Sequence, residues 1–471
     1  MEPTLPDTSL DTSRPGGVLD MDSALIADIS TLIASGQRGM VLNILADLHP
    51  ADLASVVSHI DQDLAEQVLD WLPVETAAEV LAELDDDYRA ELADAIPNER
   101  LTAMIDELDT DDAADVLADL PHDLAHRILP ELEDAEDVKE LLAYEEDSAG
   151  GLMATEFVAV LHDHTVAQAT EVVRSQAESI REIFALFVVD EGDRLVGLVT
   201  MKNLLLSPAE TSVSTIMKRD IVTVPTHMDQ EDVARLMERY DLVTLPVVDA
   251  HDRLVGRITI DDIVDVIRDE AEEDIQRMSG VAGGEEATDS VWRITRGRLP
   301  WLLAGLAGAS LAALVILSFE ESLAAASILA GFIPIVMATA GNAGIQSSAI
   351  AVQGLASGDI WASDIKRRLG KELSVAMLNG LVASLVLGAA ILLFGSFFTE
   401  QLGGNPVKLA YTASLALHIV IVVATTIGAM TPLLLDKMNV DPAIATGPFI
   451  TTSNDILGIL VFFLLADWLY L

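Results

Sequence analysis

The chain contains no cysteine, which excludes disulfides and thiolate metal sites. It is also poor in bases, with 27 Lys+Arg against 76 Asp+Glu and a net charge of −49. So acidic a surface repels nucleic acid and anionic lipid headgroups, and it attracts cations. No Gly-x-x-x-x-Gly-Lys-Ser/Thr loop occurs, so phosphate chemistry of that kind is not expected. Nor is there a nucleophile with a paired base, and no enzyme is expected. The stretch Met1–Leu19 is polar, with Pro and Gly, and lacks the apolar core of a signal peptide. Residues 1–25 read as a disordered lead-in.

The charge is concentrated in one half. From Val291 onward there are 9 Lys+Arg and 10 Asp+Glu, leaving 18 and 66 for residues 1–290, a net of −48. An acidic soluble half therefore joins a nearly neutral, apolar one. Salt adaptation or solubility accounts for acidity in bulk. Neither accounts for acids gathered at particular places.

An internal repeat organises the first part. Leu48, Ile60, Leu72, Leu84, Ile96, Leu108, Leu120 and Leu132 recur every 12 residues, and Pro73, Pro97 and Pro121 follow alternate members. Between them lie runs such as Val74–Leu84 with apolar residues at i, i+3 and i+4. Short helices at a fixed period stack into a superhelical array, each burying its face on a neighbour. This array is expected over 26–145.

After Tyr144–Met153 the pattern changes. Leu186–Thr200 returns 59 residues later as Leu245–Thr259, each copy reading strand, acidic turn, strand, and each preceded by a helix (166–177 and 230–240). The two copies resemble a tandem pair of cystathionine-β-synthase-type (CBS) domains, expected over 146–210 and 211–270. Next come the acidic helix from Asp261 to Gln276 and a Gly-rich break, together a connecting segment over 271–298. Its like charges at i, i+4 oppose one another, so cations or basic neighbours should bear on it.

Five apolar segments follow, at 299–318, 323–352, 373–398, 409–434 and 444–471, within a membrane domain of residues 299–471. Arg293, Arg296 and Arg298 precede the first, Lys366, Arg367, Arg368 and Lys371 divide the second from the third, and Lys437 precedes the fifth. The other connections carry Glu320, Glu321, Glu400 and Lys408. The positive-inside rule then puts the N-terminal half in the cytoplasm and the C-terminus outside the cytoplasmic membrane.

Polar residues inside these segments mark a path. The last carries Thr451, Thr452, Ser453, Asn454 and the unpaired acid Asp455, with Asp441 just ahead. A carboxylate at membrane depth costs a few kcal/mol (about 2.5–3.5 on insertion scales) and so faces water or a partner. An ion site and a helix-bridging acid are the two readings of Asp455. For Asp441 they are a cation-attracting mouth and an ordinary helix start. The second segment holds Gly341, Asn342, Gly344, Gln346, Ser347 and Ser348. Small residues allow close helix approach. Asn342 and Gln346, at i and i+4, share a face that lines an aqueous path with the two serines.

The order of these parts, with Gly341-Asn-Ala-Gly344 and Asp441-Pro-Ala … Thr-Thr-Ser-Asn-Asp455, resembles the MgtE family of magnesium channels. The resemblance implies a multidomain membrane protein with an α-helical superhelical N-terminal domain, tandem α/β CBS domains and a five-helix transmembrane domain. It implies a homodimer in membrane lipid, with one pore on the two-fold axis lined by the second and fifth segments of both subunits. Two Asp455 carboxylates would form a ring near the outer half of the membrane. Mg²⁺ keeps its water, so contact through that water suits it. The resemblance further implies regulatory Mg²⁺ held by Glu79, Asp111 and Asp115 of the array and by Asp229, Glu231 and Asp241 of the second CBS repeat. It adds Asp262, Asp265, Glu270, Glu273 and Asp274 of the connecting (plug) helix. Each acid alone reads equally as solvated surface.

Thr259 and Asp262 are also placed to hold the ribose of an adenine nucleotide, whereas the first repeat has Asn203 where an acid would stand. Two further readings are a coupled divalent-cation exchanger, or a broader Mg, Co and Mn transporter, and a nucleotide-sensing membrane regulator without transport.

Overall fold

The 12-residue period sets where the helices of the array end. Leu72, Ile96 and Leu120 close the helices Gln62–Trp71, Asp86–Ala95 and Thr110–Asp119 in extended conformation. The proline that follows each disfavours the α conformation in its predecessor. That proline then caps the next helix, Val74–Ala82, Asn98–Ile105 or His122–Ile128. The recurring apolar side chain turns inward at each corner, leaving Leu72, Leu84, Ile96, Leu108, Leu120 and Leu132 all buried.

The computed structural model describes residues 23–177, 180–285, 290–357, 365–394, 405–438, 440–445 and 447–471. It divides into two units, Met1–Val266 and Ile267–Leu471. Most of the expected lead-in and the loop residue Glu400 lie outside the described residues.

In the first unit, helices pack on their next-but-one neighbours. Pro50–Ser58 lies on Val74–Ala82, which lies on Asn98–Ile105, and Gln62–Trp71 lies on Asp86–Ala95, which lies on Thr110–Asp119. Two rows result, with the leucines between them. Arg89, 8% exposed, ties the rows together. Its guanidinium donates to the carbonyls of Ala82 (3.0 Å) and Leu84 (2.6 Å) and to Asp119 (2.7 Å).

The tandem repeat forms two three-stranded sheets of identical order. β1 (Ala159–Leu161) runs parallel to β2 (Ala185–Val189), which pairs antiparallel with β3 (Leu195–Thr200). β4 (Val224–Pro225), β5 (Thr244–Val248) and β6 (Leu254–Thr259) repeat the arrangement. The register Ala185↔Thr200 becomes Thr244↔Thr259, the same 59-residue offset that the sequence carries. In each acidic turn an aspartate adopts positive φ, Asp193 (60°) and Asp252 (59°), a conformation that Asp tolerates. The two turns also bond to each other, Leu195 N to Asp252 O and Leu254 N to Asp193 O. The stretch after Tyr144 bonds to the second repeat, Ala149 N to Met228 O at 2.7 Å and Gly150 N to Thr226 O at 2.8 Å.

The second unit holds five helices long and apolar enough to cross a membrane: Val291–Ser318, Ser327–Ala356, Lys366–Phe394, Pro406–Asp436 and Pro448–Leu469. The fourth is the hub. The second, third and fifth pack on it, and the first packs on the fifth. Small residues allow this closeness. A Cβ at Gly428 would stand 2.3 Å from the backbone oxygen of Gly344. Gly428→Ala should therefore force the second and fourth helices apart and cost about 1–3 kcal/mol. The check is a lower thermal midpoint of the detergent-solubilised protein, with Gly331→Ala, which meets open space, as control.

Candidate functional site

Each unit carries its own acidic constellation. In the first, the helix Thr110–Asp119 presents Asp111, Asp112 and Asp115 beside Asp261 and Asp262, which open the helix Ile260–Met278. Thr110 fixes this helix, its Oγ1 donating to Glu156 at 2.8 Å. Burial pushes the Asp111 carboxyl well above the usual range, with Asp262 and Asp112 adding repulsion. Burial raises Asp262 too, followed by Asp261, and hydrogen bonds from Thr259 oppose the shift. Asp112 is raised by burial and Asp109, offset by Arg181 and Arg89. Asp115 is pushed up to about 7, by the surrounding protein first and Asp112 second. Its side chain remains open to water at the edge of the cluster, so solvent screening makes it the weakest of the four.

Such a group of partly buried carboxylates is short of positive charge. Among the described residues, however, no three His, Asp or Glu side chains converge closely enough to hold a bare metal ion. The donor set fits a hydrated divalent ion, touched through its water, and it does not fit a dehydrating cage.

Glu79, Asp229 and Glu231 have other partners. Glu79 is ion-paired with Arg181 at 3.0 Å, and Arg181 also donates to the Glu107 carbonyl at 2.7 Å. Asp229 caps the helix Gln230–Tyr240 by accepting from Glu231 N at 3.0 Å, and Glu231 lies 4.0 Å from Arg235. Asp241 ends that helix in left-handed conformation, φ 51°. Asp265 is exposed. Thus Asp111, Asp115 and Asp262 are brought together, whereas Glu79, Asp229 and Glu231 are engaged elsewhere.

The two residues of the nucleotide expectation are brought together, Asp262 Oδ2 accepting from Thr259 Oγ1 at 2.8 Å.

In the second unit the acidic helix ends beside the last membrane helix. Arg277 pairs with both Glu273 and Asp441. Burial raises the Asp274 carboxyl above its usual range, with Asp441 and Glu270 next, while Arg277 opposes them. Asp441 Oδ1 also accepts from Ala443 N at 2.7 Å. Asp441 thus opens the short turn Ala443–Ala445, ahead of the helix that begins at Pro448. Asp441 therefore stands outside the helix that carries Asp455.

Asp455 is the eighth residue of the 22-residue helix Pro448–Leu469. It therefore stands in the half of that helix nearer Pro448. It is half-buried and makes no ion pair or hydrogen bond among the described residues. Asn342 and Gln346 are exposed on one face of the second membrane helix. Ser347 and Ser348 do not join them. Ser347 is buried and donates to Glu372 at 2.9 Å, and Ser348 is fully buried.

Asn454 is likewise turned inward rather than lining a path. It is 1% exposed, and its amide donates to Ala340 O at 3.4 Å. Gly344 makes room for it, and Gly341 lies against Thr451. Thr451 and Thr452 are partly exposed, the latter packed on Gly308.

The functional side chains that sequence reasoning missed are mostly arginines and their partners. Arg89, Arg181 and Arg277 each hold an acid, and Arg368 pairs with Glu372 at 3.2 Å. Their scarcity was the available signal: where 18 bases face 66 acids, each base has a choice of partners.

A helical array, a CBS-like pair with an acidic cluster, and five membrane-crossing helices with polar groups at depth define a multi-pass membrane protein for cation transport. The residues matching known families agree: residues 48–147 match the MgtE intracellular N domain, 149–210 and 213–269 match the CBS domain, and 333–465 match the MgtE divalent cation transporter. Magnesium transporter MgtE of Enterococcus faecalis is 38% identical over 71% of this chain and 72% of its own length. That of Thermus thermophilus is 36% identical over 70% and 72%. A solved cytosolic domain of the Mg²⁺ channel MgtE in complex with ATP is 36% identical over 51% of this chain and 99% of its own, with a TM-score of 0.49. The chain belongs to the MgtE family of magnesium transporters, whose transported ion is Mg²⁺ and which is not an enzyme family.

Proposed function

We propose that the protein is a homodimeric, Mg²⁺-selective channel, mediating influx across the cytoplasmic membrane and closed by cytosolic Mg²⁺. The observation that carries the reading is Asp455, a carboxylate at membrane depth without a partner among the described residues. Water or a second copy must meet it. Exposed Asn342 and Gln346 make the same demand from the second helix. A pore on a two-fold axis meets both, doubling the carboxylate and hydrating the amides. The membrane potential drives entry, at about 2.3 kcal/mol per charge per 100 mV.

Closure follows from the acids. Asp111, Asp112, Asp115 and Asp262 repel while bare, and a divalent ion among them favours the arrangement that gathers them. Glu270, Glu273 and Asp274 act in the same way at the end of the acidic helix. Reconstituted in liposomes, the full chain should pass Mg²⁺ down its gradient without a counter-ion, and millimolar Mg²⁺ on the face bearing the soluble half should stop the flux. Flux that requires Na⁺ or H⁺ in fixed ratio would replace the channel with an exchanger.

A further inference from the structure

The end of the acidic helix is built as a joint. Gln276 exchanges two hydrogen bonds with the backbone of Glu285, 2.8 and 2.9 Å, and Glu285 pairs with Arg298 at the start of the first membrane helix. Gly280, at φ +77°, lies against the Pro448 ring, where a Cβ would come within 2.7 Å. At the centre stands Arg277, with Glu273 on its own helix and Asp441 ahead of the fifth membrane helix. Their side chains are 34% and 25% exposed for Arg277 and Asp441, enough for water or an ion to compete.

A carboxylate covered by a guanidinium cannot also attract an entering cation. We propose that Arg277 is a tethered cation of the non-conducting arrangement. It neutralises Asp441 while the acidic helix is seated and uncovers it when the helix withdraws. Arg277 is then a positioning residue whose effect passes through Asp441. The proposal rests on the transport reading above and assigns this cation its place in it.

The test uses full-length protein in liposomes, reading Mg²⁺ influx against Mg²⁺ on the face bearing the soluble half. A partly exposed pair is worth up to about 1 kcal/mol. Arg277→Gln should therefore raise the half-inhibiting Mg²⁺ concentration about fivefold, and Arg277→Lys should restore it. In an Asp441→Asn background, Arg277→Gln should change nothing further. No shift in the single variant, or an equal shift in both backgrounds, overturns the proposal, the latter because Arg277 would then act through Glu273.

A second measurement separates this from failure of the transport reading. The chain has no native cysteine, so Arg277→Cys with Asp441→Cys gives a clean pair for a short bis-maleimide. Cross-linking that rises with Mg²⁺ supports the joint even if wild-type liposomes pass no ion. A yield indifferent to Mg²⁺ overturns it.

Discussion

Asp455→Asn should abolish Mg²⁺ flux while leaving the protein as stable as before, or more so. The two readings of this carboxylate make opposite demands. A helix-bridging acid contributes stability through its partner, and neutralising it would lower the thermal midpoint. Asp455 has no such partner among the described residues and is half-buried in an otherwise apolar helix. An uncompensated charge there costs on the order of 3 kcal/mol. Asparagine keeps the shape and removes that cost, so folding should not suffer. Transport should suffer completely, because a hydrated Mg²⁺ loses the negative charge that draws it from water. The measurements are liposome flux, size-exclusion profile and thermal midpoint on the same preparation. Preserved flux, or lost flux with a lowered midpoint, would remove Asp455 from the ion path.

Why some of this was legible in the sequence is a matter of range. Leu72-Pro73 and its repeats encode local corners, and a backbone rule acting between adjacent residues set the helix ends. The 59-residue offset of the CBS repeat fixed two sheets alike, since the same side chains meet the same alternation. Side-chain partners are a long-range property. Arg277 and Asp441 are 164 positions apart, and Arg89 and Asp119 are 30 apart. Spacing along one helix put Ser347 and Ser348 with Asn342 and Gln346, yet the helix turns the serines inward, where Glu372 takes the first of them. Acidity marked the cluster of Asp111, Asp115 and Asp262. It could not separate them from Asp229, which caps a helix, or Glu79, which an arginine holds.

That distinction gives the second large effect. Replacing Asp111 and Asp262 together with asparagine should stabilise the first unit in the absence of Mg²⁺ and weaken its response to the ion. Both carboxyls are raised by burial first and by neighbouring acids next. A carboxyl whose pKa is higher folded than unfolded favours the folded state while it stays protonated. Its contribution is full below the unfolded value, near 4, and is lost as pH rises through the folded one, which for neighbouring Asp115 is about 7. Wild-type protein in chelator should therefore melt several degrees lower at pH 8 than at pH 5. Millimolar Mg²⁺ should recover most of the loss at pH 8, because a divalent ion supplies the charge that the departed protons supplied. Na⁺ at equal ionic strength acts only through screening, and it should recover little. The double variant keeps only Asp112 and Asp115 of these raised carboxyls, so its melting should depend less on pH or Mg²⁺. Equal recovery by Na⁺, or an undiminished Mg²⁺ response in the variant, would return these acids to the ordinary solvated surface of a very acidic protein.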